Sequence, residues 1–403
     1  AAAAAAAAAA LVPKISQCFP RAALADLPSR IENFCFPDVG TLRPCERSSA
    51  TYFTFVLTQT DGSRTYGFCR RYLSNSARPQ RHRHDCGPRL FECLCVVSRY
   101  PYFSLFDYFL KTLQMLRWLH PKGMAPFMKD ALKCPLTLHG GAYRVHKQHV
   151  LTVPMGAGSR VPLTSAGVRE LFSRFAPSLL RHIVGAVLCE RRIIFHSRHI
   201  GTISRCIYTA LALIYPFEWQ HILVPLLPRG MLEYTCAPSP YIVGIHTAHL
   251  SEVKRLPVGE ALLIDVDQGT IVAYGSFKSI AVGAASRGRT ASGSMLAAKD
   301  RVKARAKEAA KKAQEVLRHG VVGNVVRGST YSVSVGLTRE MEKVHAWVTA
   351  SDVDMFGRQV WLHPIDVNDI ADVFLVYFGQ IFFWYQDYLE VNNPYHARAV
   401  AGA

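Results

Sequence analysis

Hydrophobic and polar positions first alternate along this chain and later recur at helical spacing. In Tyr52-Phe53-Thr54-Phe55-Val56-Leu57, residues Phe53, Phe55 and Leu57 share one face against Thr54 and Thr58, which predicts a strand. Asp61-Gly62 supplies a tight turn, where Gly accepts positive φ, and Thr65 to Cys69 returns as the second arm of a hairpin. Ser74 to Arg89 is a polar loop rich in Arg and His, and Phe91 to Val97 is apolar almost throughout, as in a strand buried on both faces. From Pro101, a residue suited to a first helical position, Tyr102, Leu105, Phe106, Phe109, Leu110, Leu113 and Leu116 recur at helical spacing. Antiparallel strands and one packing helix make a small α/β module that ends near residue 122.

The rhythm then changes. Leu179, Leu180, Ile183, Val184, Val187 and Leu188 form one helical stripe, and Ile200, Ile203, Ile207, Leu211 and Ile214 another. Between them, Arg192 to His196 reads as a short strand. Three more strands are expected at His221–Leu226, Tyr241–Ile245 and Ala261–Asp265, with Pro225 marking an edge or an end. This alternation predicts a mostly parallel sheet with covering helices. Ala281 to Ser294 reads as a Gly/Ala/Ser/Arg linker. Lys299 to Arg318 is a basic helix whose narrow seam is Val302, Ala306, Ala309, Ala313 and Val316. An aromatic helix, Ile370 to Leu389, closes the chain, with Phe374, Phe378, Ile381 and Tyr385 on one face.

Composition adds limits. Of 403 residues, 50% are hydrophobic and 19% charged, which supports large cores and excludes global disorder. The net charge of +18 allows a nucleic-acid, acidic-lipid or acidic-protein partner without selecting one. Apolar runs such as Cys206–Phe217 and Val373–Gln386 are shorter than the ~20 residues a spanning helix needs. The Ala1–Ala10 tract is low-complexity and stands outside the fold. Eleven cysteines include no C-x-x-C pair. Several, such as Cys93, Cys95, Cys189 and Cys206, lie in apolar runs, so reduced core thiols of a cytosolic protein are expected.

Candidate chemistry is sparse. No phosphate loop, nucleophile elbow or H-E-x-x-H motif occurs. Arg81-His82-Arg83-His84-Asp85-Cys86 contains zinc-type ligands but has no evident second pair, so a solvated loop is the simpler reading. Leu263 to Gly269 reads as a strand running into an Asp/Gly turn rather than a metal loop. The basic helix lacks interleaved aromatics, which argues against nucleic acid, and its Ala-rich side offers little surface for a bilayer. In Leu188-Cys189-Glu190-Arg191-Arg192-Ile193, three charges separate two apolar elements. Glu190 is read as ending a helix and Arg192 as beginning a strand, with the arginines offsetting Glu190 at the negative end of the helix dipole.

The ordered set of these segments resembles a known family. Phe34-Cys35-Phe36-Pro37, Phe53 to Arg71, and Cys95 to Arg99 are similar to the upstream DENN region. Leu188 to Ser197, Ala212 to Pro228, Cys236 to Ile245 and Leu256 to Asp267 are similar to the central DENN core. Asp372 to Leu389 resembles the downstream region's aromatic helix. The resemblance implies a bilobed α/β protein: a longin-like lobe at 14–122, a central domain with mostly parallel sheet at 123–280, a linker and basic helix at 281–323, and a largely helical downstream region at 324–395. Tails would lie at 1–13 and 396–403.

It also implies a guanine-nucleotide exchange factor that holds a Rab-family GTPase, GDP-bound or nucleotide-free, between two lobes. Such a factor makes and breaks no covalent bond, so no cofactor, metal or catalytic residue is expected. The expected contact residues, at loops and element ends, are Phe36 and Pro37; Ser98, Arg99 and Tyr100; Tyr215, Pro216 and Phe217; and Pro238, Ser239 and Pro240. Rival readings are a non-catalytic Rab-binding scaffold and a GTPase-activating protein, the latter needing an exposed arginine such as Arg70, Arg71 or Arg99. The expected place is the cytoplasm, with peripheral contact to acidic vesicle or endosomal membranes and no nucleic acid.

Overall fold

The computed structural model describes residues 12–274, except 26, 29, 60–61, 75–88, 137–139, 147–148 and 155–160. Beyond these it describes only 281–282, 342, 345, 351–353, 359–361, 370–371 and 374. The linker and the basic helix expected from Lys299 lie outside the described residues. Of the closing aromatic helix, only Ile370, Ala371 and Phe374 are described; all three are helical, and Ile370 and Phe374 are buried. The chain divides into two compact units. The first comprises Ala1–Pro162, Ile194–Tyr208 and Gln220–Val258; the second comprises Leu163–Ile193, Thr209–Trp219 and Gly259–Ala403.

The first unit is built on a three-stranded antiparallel sheet of β1 (Thr51–Thr58), β2 (Arg64–Leu73) and β3 (Phe91–Ser98), with β2 central. Gly62 takes φ +80° in the predicted turn, where its amide donates to the Gln59 carbonyl. Successive β2 side chains point to opposite faces. Phe68, Arg70 and Tyr72 meet helix α2 (Phe103–Leu119), through Phe103 and Phe106, Gln114, and Trp118 respectively. Gly67, Cys69 and Arg71 face the chain around the short helix α1 (Ile31–Cys35). Phe55, the cross-strand partner of Gly67, lays its ring where a Cβ on Gly67 would sit, 2.0 Å away, so only Gly fits there. Thr54 and Val56 are buried as well as Phe53 and Phe55, because both faces of β1 are covered.

Two expectations need correction. Among the described residues β3 pairs only with β2 and is an edge strand, and Cys95 and Val97 are exposed, so it is not buried on both faces. Pro101 is not the first residue of α2: Tyr102 caps the helix, and Pro101 lies outside it, its carbonyl accepting from Phe103. The unit also contains elements without a strong sequence signal, namely α3 (Met124–Leu132) and the hairpin β4 (Gly141–Val145)–β5 (His149–Val153). Phe127 of α3 is fully buried between Phe109 and His149.

In the second unit, α4 (Ser165–Arg174) starts at Thr164, whose hydroxyl accepts from the Gly167 amide, and α5 (Pro177–Leu188) starts on Pro177. The predicted α5 stripe is buried at Leu179, Leu180, Ile183, Val184 and Val187. The other predicted elements form β6 (Ile193–Ser197), α6 (Ile200–Ala212), β7 (Ile222–Val224), β8 (Tyr241–His246) and β9 (Ala261–Asp265). In the first unit, β7 and β8 pair in parallel. In the second, β10 (Thr270–Tyr274) pairs antiparallel with both β9 and β11 (Ala281–Val282). The antiparallel β9–β10–β11 strands were not expected: no helix follows β9, and a four-residue turn, 266–269, reverses the chain directly. In that turn the Asp265 carboxylate accepts from the amides of Asp267 and Gln268, as an Asp/Gly turn requires.

Asp38 and Arg71 tie the α1 segment to the sheet. Arg71 donates to both Asp38 carboxylate oxygens, at 2.5 and 3.0 Å, and both residues are buried. Asp38→Ala would leave a buried guanidinium without its counter-charge and is expected to cost about 3–5 kcal/mol, read from the urea unfolding midpoint. A cost below about 1 kcal/mol, the range of an exposed pair, would show that the ion pair does not anchor this segment.

Candidate functional site

The charged junction after α5 is a helix stop. α5 ends at Leu188, and Glu190 takes φ +50°. The Arg191 amide donates to the Ala186 carbonyl and the Glu190 amide to the Val187 carbonyl, the paired bonds of a Schellman motif. The left-handed position usually held by Gly is therefore occupied by a residue for which it costs about 1–2 kcal/mol. Arg192 is half-buried: its guanidinium lies over Gly259, and its carbonyl accepts from the Leu262 amide at the start of β9. The Glu190 and Arg191 amides thus serve the helix stop, and Arg192 packs at the start of β9. Glu190→Gly is expected to keep or raise the melting temperature, whereas Glu190→Val, which adds β-branching at positive φ, should lose about 1–2 kcal/mol in chemical denaturation. Equal stability of the two variants would contradict the motif.

Three of the four expected contact groups lie in the first unit. Ser98, Arg99 and Tyr100 form the turn between β3 and α2: the Ser98 hydroxyl accepts from the Tyr100 amide, and the Tyr100 ring stacks on Tyr102 at 5.3 Å. Arg99 is exposed and Tyr100 half-exposed. Phe36 is half-buried and Pro37 buried, next to Asp38. Ser98 is paired with Tyr66, whereas Asp38 engages Arg71 five residues further along β2, so the sheet separates these two groups rather than joining them. Pro238 and Ser239 are exposed and Pro240 half-exposed, just before β8. The fourth group is in the second unit, where Tyr215 is half-buried and Pro216 and Phe217 are exposed.

Of the three arginines considered for a GTPase-activating role, two are unavailable. Arg71 is bound by Asp38 between the Phe53 and Phe91 rings, and Arg70 is held by Gln114 and Asp107. Arg99 alone of the three is exposed. The sequence also missed an exposed face of α2. Tyr108, Met115 and Leu119, spaced by seven and four residues, stay in solvent beside the buried stripe.

A second cluster gathers nonlocally. The sulfurs of Cys35, Cys69 and Cys95 lie within 4.8 Å of one another, and the Cys35 and Cys69 sulfurs are 3.8 Å apart. Cys93 shares this face of β3 and interacts with Cys35. Hydrogen bonds from Cys69, Cys93 and Cys95 hold the Cys35 thiol well below its ordinary range. Burial raises Cys69, and the bond to Cys35 raises Cys93 and Cys95. The Cys93-x-Cys95 alternation was the local signal; its joining to Cys35 and Cys69 required the strand register.

Residues 89–269 match the DENN (AEX-3) domain family and residues 13–72 the uDENN domain family. DENN domain-containing protein 2B of Homo sapiens is 34% identical over 275 residues, covering 63% of this chain and 23% of that protein. DENN domain-containing protein 2A of Homo sapiens is 34% identical over 275 residues, with 64% and 26% covered. DENN domain-containing protein 2D of Mus musculus is 32% identical over 265 residues, with 62% and 53% covered. The chain thus belongs to the DENN-domain family. It spans about a quarter of the length of the 2A and 2B proteins and about half of 2D. Among the described residues, no helix is long and apolar enough to cross a membrane.

Proposed function

We propose that this chain is a guanine-nucleotide exchange factor for a Rab-family small GTPase. The observation that carries the reading is the pair of family matches, uDENN at 13–72 followed by DENN at 89–269, because DENN-domain proteins act generally as Rab exchange factors. Residues 14–122 serve as the upstream, longin-like lobe, 123–280 as the central domain, and 324–395 as the downstream region. Partner contact draws on Ser98, Arg99 and Tyr100, on Tyr215, Pro216 and Phe217, on Pro238, Ser239 and Pro240, and on Phe36 and Pro37. The first three groups offer exposed aromatic, proline and polar surface. Phe36 and Pro37 are more buried and contribute least to that contact.

The mechanism needs no triad. A factor that binds the switch segments of the GTPase more tightly in the nucleotide-free state lowers the barrier to losing GDP and Mg²⁺. A thousandfold faster release corresponds to about 4 kcal/mol of such differential binding. The protein acts in the cytoplasm, and its positive charge favours peripheral contact with acidic vesicle or endosomal membranes.

Release of a fluorescent GDP analogue, measured across a panel of Rab proteins with the folded chain, is expected to accelerate for at least one. Tyr100→Ala and Phe217→Ala should each slow that release about 10- to 100-fold, as loss of an aromatic anchor does, with melting temperature retained. Absence of acceleration for every Rab would overturn the reading.

A further inference from the structure

Four cysteines lie on the α1 side of the sheet. Cys35 closes α1, Cys69 sits in the middle of β2, and Cys95 is directly opposite Cys69 on β3. Cys93 lies two residues before Cys95 on the same face, opposite Arg71. Zinc binds thiolate sulfur at about 2.3 Å, which places neighbouring sulfurs of a tetrahedral site about 3.8 Å apart. The Cys35 and Cys69 sulfurs are already at 3.8 Å, and Cys95 completes a triangle with no side above 4.8 Å.

A second observation points the same way. Both terminal nitrogens of Arg71 are taken by Asp38, yet among the described residues its buried Nε has no hydrogen-bond partner. Arg71 is the cross-strand partner of Cys93 on this face. Asp38 matches the charge of Arg71, and the remaining Nε–H donor suits a neighbouring thiolate acceptor, as a zinc ion held by four thiolates presents. Among the described residues β3 is an edge strand, and Cys95 is exposed.

We propose that Cys35, Cys69, Cys93 and Cys95 form a structural zinc site that clips the α1 segment to the β2–β3 edge. A zinc ion here has no open position for substrate; it cross-links three elements that are distant in sequence. The site is independent of any exchange activity.

The test uses the full chain, purified reduced and without chelator. Elemental analysis should find about one zinc per chain, and Co²⁺ exchanged into the site should show thiolate-to-cobalt charge transfer and tetrahedral ligand-field absorption. Alkylation mapped by mass spectrometry should find Cys35, Cys69, Cys93 and Cys95 protected until a chelator is added, with Cys18 and Cys134 modified equally in both conditions. Cys95→Ser, at the exposed ligand, should lower zinc affinity at least about tenfold, while Cys236→Ser leaves it unchanged. A chain without stoichiometric zinc and without cobalt–thiolate absorption overturns the proposal. So does labelling that the chelator does not alter, or a disulfide joining Cys35 to Cys69.

Discussion

Arg71 sits on the central strand of a sheet covered on both faces, so its charge has to be matched from within the protein. Asp38, from the chain that precedes the sheet, supplies the match through two hydrogen bonds. Neither residue has water to fall back on, and each makes the burial of the other tolerable. The consequence is positional. Fixing Asp38 places α1 and Phe36–Pro37 over the odd-numbered face of β2, and with them Cys35 over Cys69. The even-numbered face is left to α2, whose start is set by the Ser98–Tyr100 turn. A buried ion pair thus determines both the thiol cluster and the separation of two expected partner-binding groups.

The elements with the strongest periodicity were legible in the sequence. The alternation at residues 52–57, the stripe of α5 and the apolar run of β9 each bury a continuous face, and each folded where its pattern placed it. What the pattern could not report was the neighbour. Phe91–Val97 is apolar apart from Glu92, yet among the described residues β3 lies at an edge, and one charge in the run is a faint record of the missing neighbour. The Asp/Gly turn after β9 was read, but the five-residue return strand β10 was not, because so short a run carries little periodic signal. Glu190 is instructive in another way. Its charge drew attention as candidate chemistry, whereas its backbone, at positive φ in a helix stop, explains its position.

The candidate contact residues divide by the same logic. Those at turns, such as Arg99, Phe217, Pro238 and Ser239, are exposed. Pro37 is buried, because its neighbour Asp38 is drawn in by Arg71. The same ion pair removes Arg71 from any role in stabilising charge on a bound nucleotide. The cysteines were read as core thiols because each lies in its own apolar context. Only the pairing of Cys69 with Cys95, and the approach of α1, makes them one group.

An exchange factor and a passive Rab-binding scaffold differ in which state of the GTPase they favour, and thermodynamic linkage makes that difference measurable at equilibrium. The direct measurement is the affinity of the folded chain for one responsive Rab in its nucleotide-free, GDP-bound and GTP-bound forms, by calorimetry. Exchange requires the nucleotide-free form to bind tightest, by at least about tenfold, or 1.4 kcal/mol. Equal affinity for all three forms, or tightest binding to the GTP-bound form, would contradict it.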